Sequence, residues 1–255
     1  MIDQDLERLD LKIVVADAYE MAKFDKDAFV KIRRMGFGGS DSSIILGVNP
    51  FTEQSELINQ KLSVVVTDAE RAVGEKESVR KGADLEPLIL QKFEQWSGFE
   101  TYKPDAMYQL TKYPQLTVNF DGIIELQKLY IPVEAKYVSP YANKYWDRSK
   151  SLKAPYEGSA KICAGAGLAD HIQQEATLYG IPPYYYTQLQ QQIWGLNAPY
   201  GYLTVLFEQN WELHSFMVWR DQKVINQLII EDCKTWNKIE EKRPSNFNLG
   251  VEIKK

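Results

Sequence analysis

Apolar and polar positions change period several times along the chain, and each change predicts an element. From Glu77 to Trp96 the apolar residues Val79, Leu85, Ile89, Phe93 and Trp96 recur at helical spacing, and Ser97-Gly98 closes the helix. Between Thr101 and Lys136 the period drops to two. Met107–Leu110, Leu116–Ile124 and Leu129–Tyr137 read as three strands. Asp121-Gly122, inside the second of these, also reads as a hairpin turn, because Asp-Gly favours type I′ geometry. Two later strands, Gly201–Phe207 and Trp211–Val218, are joined by a loop at Glu208–Asn210.

Residues 1–35 read as mostly helical with mixed charge. After the turn Gly36-Phe37-Gly38-Gly39, Ser40 stands where an N-cap belongs, ahead of the apolar Ile44-Ile45-Leu46. Gly47 and Asn49-Pro50 end that short helix. Thr52 reads as the cap of a second helix through Lys61, with Glu53 and Glu56 near its positive end. Pro182-Pro183 opens a helix through Trp194, and a last helix runs from about Asp221 to Glu240. Residues 138–175 are aromatic and contain glycine, and they show no clean period. This order predicts an α/β (α+β) fold, with a mixed central β-sheet flanked by helices. It also predicts one domain over 1–255, with a helical N-terminal part at about 1–62 and an insertion at about 138–175.

The chain has 255 residues, a net charge of −5 and 44% hydrophobic residues. That suffices for a sizeable core and excludes whole-chain disorder. No apolar stretch approaches the ~18 residues that a membrane crossing needs. The acidic Met1–Asp5 lacks the apolar region of a secretory signal. Two cysteines, Cys163 and Cys233, exclude a disulfide framework and an all-cysteine metal site, so a reducing cytoplasm is expected. The pI of about 5.3 argues against a generic nucleic-acid coat. It leaves room for an enzyme with a locally basic groove.

The sharpest chemical feature is Asp121 followed by Glu134-Ala135-Lys136. The strand period puts Glu134 and Lys136 on one face, and a hairpin brings Asp121 beside Glu134. Two carboxylates at that distance repel each other unless a cation lies between them. Oxygen ligands suit Mg²⁺, and the Ala135 carbonyl adds another oxygen. Lys136 then orients the attacking water or stabilises charge on a phosphate. The alternative is a solvated strand face with an ion pair. His171 and His214 lack a paired-histidine metal spacing, and no Walker-type loop is present. Gly165-Ala166-Gly167 follows no buried strand, and Ser159 lacks a nucleophile elbow.

Four blocks in order resemble the YqaJ-like, lambda-exonuclease type of phage recombination nuclease within the PD-(D/E)XK superfamily. The first runs from Arg33-Arg34-Met35-Gly36-Phe37-Gly38-Gly39-Ser40-Asp41 through Leu46-Gly47-Val48-Asn49-Pro50-Phe51. The second is Gly82-Ala83-Asp84-Leu85-Glu86, and the third is Asp121-Gly122 with Glu134-Ala135-Lys136. The fourth is Tyr185-Tyr186-Thr187-Gln188-Leu189-Gln190. Residues 33 to about 207 carry the resemblance.

The resemblance implies a restriction-endonuclease-like core and a role for each matched position. Asp121 and Glu134 are then metal-binding carboxylates, Lys136 is the catalytic lysine, and Glu86 completes the metal site. Gln188 lies at the active centre. Arg33 or Arg34 and Ser40 hold a DNA phosphate, which suits a serine behind a glycine turn and a bidentate guanidinium. Taken alone, Glu86 reads as an exposed helix glutamate, Gln188 as a surface glutamine and Ser40 as a plain cap. The stretch between Lys136 and Gln188 is longer than a compact member of this family needs. It carries Lys144, Arg148, Lys150, Lys153 and Lys161 against Asp147 and Glu157, interleaved with Tyr141, Tyr145, Trp146 and Tyr156. That mixture suits a flap on DNA, or else a solvated loop whose aromatics are pinned to the body, or a subunit contact.

The expected activity is metal-dependent hydrolysis of DNA, with two Mg²⁺ ions and Mn²⁺ able to substitute, and the resemblance implies that the substrate is a double-stranded DNA end digested 5′ to 3′. The resemblance also implies a homotrimeric ring, a single-strand annealing partner and a bacterial or phage-infected cytoplasm. The rival readings are an endonuclease with the same active site, a non-catalytic DNA-binding module, and a plain α+β interaction protein.

Overall fold

The computed structural model describes residues 9–16, 24–155 and 167–249, with single positions at 6, 18 and 21. Two sheets organise it. β1 (Leu11–Ala16), β2 (Ala106–Leu110) and β3 (Tyr113–Val118) form a three-stranded antiparallel sheet in that order. β4 (Gly122–Leu126), β5 (Leu129–Val138), β6 (Tyr200–Phe207) and β7 (Glu212–Trp219) form a four-stranded mixed sheet. Only β5 and β6 run parallel, with Glu134 opposite Leu203 and Lys136 opposite Val205. A parallel pair needs a long crossover. Here that crossover contains α6 (Leu168–Tyr179) and α7 (Pro183–Gly195).

The remaining helices are α1 (Lys26–Arg33), α2 (Gly39–Ile45), α3 (Gln54–Leu62), α4 (Asp68–Glu75), α5 (Glu77–Ser97) and α8 (Gln222–Lys242). The mixed sheet is covered on both faces. Phe93 of α5 packs on Tyr202, which pairs with Val133. On the other face, Gly201 lies against Leu189 and Ile193 of α7 and against Pro132. Alternation along β5 therefore puts Pro132, Glu134 and Lys136 on the α7 face.

Several sequence expectations are corrected. The 1–35 region contains β1, because the run Leu11–Ala16, with β-branched Ile13, Val14 and Val15 at its centre, finds a partner in β2. The expected strand Leu116–Ile124 is two strands in two sheets, split where Phe120 is buried and Asp121 leaves the ladder. Asp121-Gly122 is no hairpin turn. The β4–β5 turn is Gln127-Lys128, where both residues have positive φ, as a type I′ turn requires. Gly38, not Ser40, caps α2, and its N–H donates to Asp41 Oδ2 at 3.0 Å. Helix α3 starts one residue later than expected, with Glu53 at the cap. Thr52 N instead donates to Asn49 Oδ1. Val79 is exposed, so the buried stripe of α5 runs through Ile89, Leu90 and Phe93. The sequence reading contains no counterpart to α4, which Thr67 and Glu70 close with reciprocal capping bonds.

Candidate active site

The site lies where the two sheets meet. Asp121 sits in the link between β3 and β4, and its Oδ2 accepts a hydrogen bond from the Ala135 N–H at 2.9 Å. β4 has ended by this level, since Gly122 pairs with Val133. The Asp121 side chain thus takes the ladder position that β4 leaves open. A strand residue directs its N–H and C=O to the same edge, so the Ala135 carbonyl points to the Asp121 side.

Glu134 is 2% exposed and is surrounded by donors. Lys136 Nζ and Gln188 Nε2 both reach its Oε1. Gln192 Nε2 reaches its Oε2 at 2.6 Å and also donates to the Asn119 carbonyl at 3.0 Å. Gln188 and Gln192 are four residues apart on α7 and share the face turned to β5. Lys136 is 21% exposed and stands 5.3 Å from the centroid of the Tyr185 ring.

Electrostatics bind these groups together. Burial pushes the Glu134 carboxyl up to about 7, and the Asp121 charge adds to the shift, with Lys136 acting against both. Burial pulls the Lys136 ammonium down, but the Glu134 and Asp121 charges outweigh it and raise its pKa. Glu86, on α5, is raised first by its own burial and then by Asp121, although the Lys103 ammonium pairs with it. Glu86, Asp121 and Glu134 thus form one field. Among the described residues, no three carboxylate, histidine or cysteine side chains already close on a single cation-sized point. The cation beside Glu134 is Lys136.

Arg33 Nη2 donates to Ser40 Oγ at 2.8 Å, and both residues are exposed. Arg34 does not belong with them. It is 3% exposed, pairs with Glu70 at 2.5 Å and donates to the Ser63 and Val65 carbonyls. Its guanidinium ties α4 to the body, because adjacent residues at the end of α1 point to different sides.

The 138–155 stretch is anchored at Trp146 and at Ser151-Leu152, whereas Tyr141 and Tyr145 stay exposed. Trp146 is buried against Tyr185, Phe207 and Phe216. The Leu152 N–H donates to Ser215 O, and Ser151 Oγ bonds to His214 Nδ1 at 2.9 Å. Lys144, Lys150 and Lys153 are exposed, whereas Arg148 lies over the Phe207 ring. Tyr156, Glu157, Ser159, Lys161 and Gly165-Ala166 fall outside the described residues.

Sequence reasoning missed Gln192, Lys103 and the Asp121–Ala135 bond. The four-residue step from Gln188 to Gln192 is the signal that points to the first of these.

A sequence profile of the YqaJ-like viral recombinase domain matches residues 28–197. The chain belongs to that family. It is 25% identical over 222 residues to the uncharacterised protein YqaJ of Bacillus subtilis (strain 168), a match that covers 85% of this chain. The chain spans 57% of the length of that relative. Among solved structures, the alkaline exonuclease LHK-Exo from Laribacter hongkongensis matches with a TM-score of 0.56 at 13% identity. That match covers 83% of this chain and 91% of LHK-Exo. LHK-Exo in complex with dAMP matches with a TM-score of 0.54 at 14% identity, with the same coverage. The fold of this YqaJ-like chain is thus the mixed α/β, PD-(D/E)XK fold of the alkaline exonucleases. Among the described residues, no helix is long and apolar enough to cross a membrane.

Proposed function

We propose that this chain is a metal-dependent deoxyribonuclease that hydrolyses phosphodiesters from the ends of double-stranded DNA. The observation that carries the reading is the convergence of Lys136 and Gln188 on one oxygen of buried Glu134, with Asp121 locked to the next residue. A lysine, an amide and two carboxylates at a sheet end suit attack by water on a phosphate. Membership in a viral recombinase family and the shared exonuclease fold agree with it. LHK-Exo has been captured with dAMP, a mononucleotide of the kind that an exonuclease releases.

The donor set fits a hard divalent cation. Glu86, Asp121, Glu134 and the Ala135 carbonyl offer only oxygens, and the Glu86 and Glu134 carboxyls are raised first by burial and then by the Asp121 charge. When bound, Mg²⁺ or Mn²⁺ would align water and stabilise the leaving oxygen. Lys136, released from Glu134, would hold the attacking water, and the Gln188 amide would orient it. Arg33 and Ser40 would grip a backbone phosphate. In the reaction the water oxygen bonds to phosphorus, the phosphorus–oxygen bond to the leaving nucleotide breaks, and the leaving oxygen takes up a proton. The 5′ to 3′ direction, the trimeric ring and the annealing partner are carried into this reading by the resemblance alone.

One DNA sequence, supplied as linear duplex and as closed circle with Mg²⁺ or EDTA, tests the reading beside Lys136→Ala. Metal-dependent loss of the linear form, absent in the variant, is the expected result. Cutting of the circle would make the protein an endonuclease. Failure of folded wild-type protein to cut either form, with either metal and 5′-phosphorylated ends, would overturn the enzyme reading.

A further inference from the structure

Phe51 is a large apolar side chain that the fold leaves 70% exposed. Its backbone is not loose. Asn49 Oδ1 accepts from the Phe51 N–H at 2.8 Å and from the Thr52 N–H at 3.0 Å, so the residue is presented by a built turn. Its ring meets the Tyr184 ring in an edge contact, with 5.6 Å between centroids. Tyr184 in turn lies 4.5 Å from Tyr185, and the Tyr185 ring faces Lys136 Nζ. A row of rings therefore leads from solvent to the lysine that holds Glu134.

Helix α7 aligns this row with the site. Tyr184 precedes Gln188 by four residues, so the two lie on one face. Tyr145, close enough to Tyr184 to act on it electrostatically, is half-exposed, and Lys144 Nζ lies 5.1 Å from the Tyr145 ring centroid. An exposed Phe51 ring packed on a part-buried Tyr184, with lysines nearby, suits a flat, π-faced ligand attached to an anion.

We infer that Phe51 and Tyr184 form a stacking site for an unpaired nucleobase adjacent to the phosphate at Lys136. The inference rests on the deoxyribonuclease reading for its substrate, an end of a DNA strand separated from its complement. Every base has a π-face, so the site carries little sequence preference. It would select an opened end over a closed duplex, because a paired base has no face to offer.

The test reads binding, not cleavage. Full-length protein in EDTA is mixed with blunt duplex or with duplex of the same sequence carrying a frayed end. 2-Aminopurine at the frayed position reports stacking by loss of fluorescence. The wild type should quench the probe and bind the frayed end about tenfold more tightly than the blunt end, in line with stacking of one base. Phe51→Ala and Tyr184→Ala should lose the quenching and bind both ends alike, whereas Phe51→Trp should retain both effects. Phe51 is exposed, so its alanine variant should melt with the wild type. Wild-type-like quenching by folded Phe51→Ala, or none by the wild type, would overturn the stacking site. A protein that quenches but never cuts linear DNA would overturn the nuclease reading and leave the stacking site standing. One that cuts but does not quench would do the reverse.

Discussion

Asp121 holds the backbone of Ala135 by a 2.9 Å hydrogen bond, which fixes one acidic side chain to the strand that carries the next. The bond joins structure and chemistry in one residue, and they can be separated. Asp121→Asn keeps an oxygen for the Ala135 N–H and removes the charge. It should fold normally, with a melting temperature within a few degrees of the wild type, and lose Mn²⁺ binding in calorimetry. Asp121→Ala also leaves the Ala135 N–H without its acceptor and should cost a further 1–3 kcal/mol or so of stability in denaturant melts.

The two arginines at the end of α1 should behave oppositely. Arg34→Ala removes the ion pair with Glu70 and leaves the Ser63 and Val65 carbonyls without their donor, so it should destabilise by about 1–3 kcal/mol. Arg33→Ala should melt like the wild type. It should reduce the slope of log affinity for DNA against log salt by roughly one, as loss of a phosphate contact does.

Gln188 and Gln192 both donate to Glu134, but Gln192 is buried and also holds the Asn119 carbonyl. Gln192→Leu should lower the melting temperature clearly, since it leaves buried acceptors unmet. Gln188→Ala should leave the melting temperature almost unchanged and lower kcat on linear DNA at least about tenfold.

Asp232 on α8 is fully buried, and neither carboxyl oxygen has a partner among the described residues. Burial, with help from Asp41, raises its pKa well above the ordinary carboxylate range. A group raised in the folded state stabilises fully below its unfolded pKa and loses that contribution as pH rises towards the folded value. Asp232→Asn should therefore raise the melting temperature at pH 8 by about 4 °C and change it little at pH 4. Calorimetry at the two pH values checks the sign.

Glu134, Lys136 and Asp121 were legible because a period of two and a short connection define their geometry. Gln188 needed the family resemblance: nothing in a run of glutamines says which side chain faces the sheet. The division of Leu116–Ile124 was not legible either. Alternation continues through Asn119–Asp121, and only the partner strands reveal the change of sheet. β1 was hidden for the same reason, since its ladder lies far along the chain in β2. Arg33 and Arg34 look alike in sequence, and tertiary packing separates them.

Gly39 stands where its helix presses on Gln188, and a methyl group there would lie only 3.0 Å from Gln188 Cγ. Ser40 follows Gly39 directly, and Gln188 ends on Glu134. In the proposed deoxyribonuclease, a phosphate at Arg33 and Ser40 would lie one tight contact away from the residue that reaches Glu134. On the proposed reading, the phosphate anchor and the point of attack would be joined through that one packed contact, so a strand would advance in steps of one fixed length.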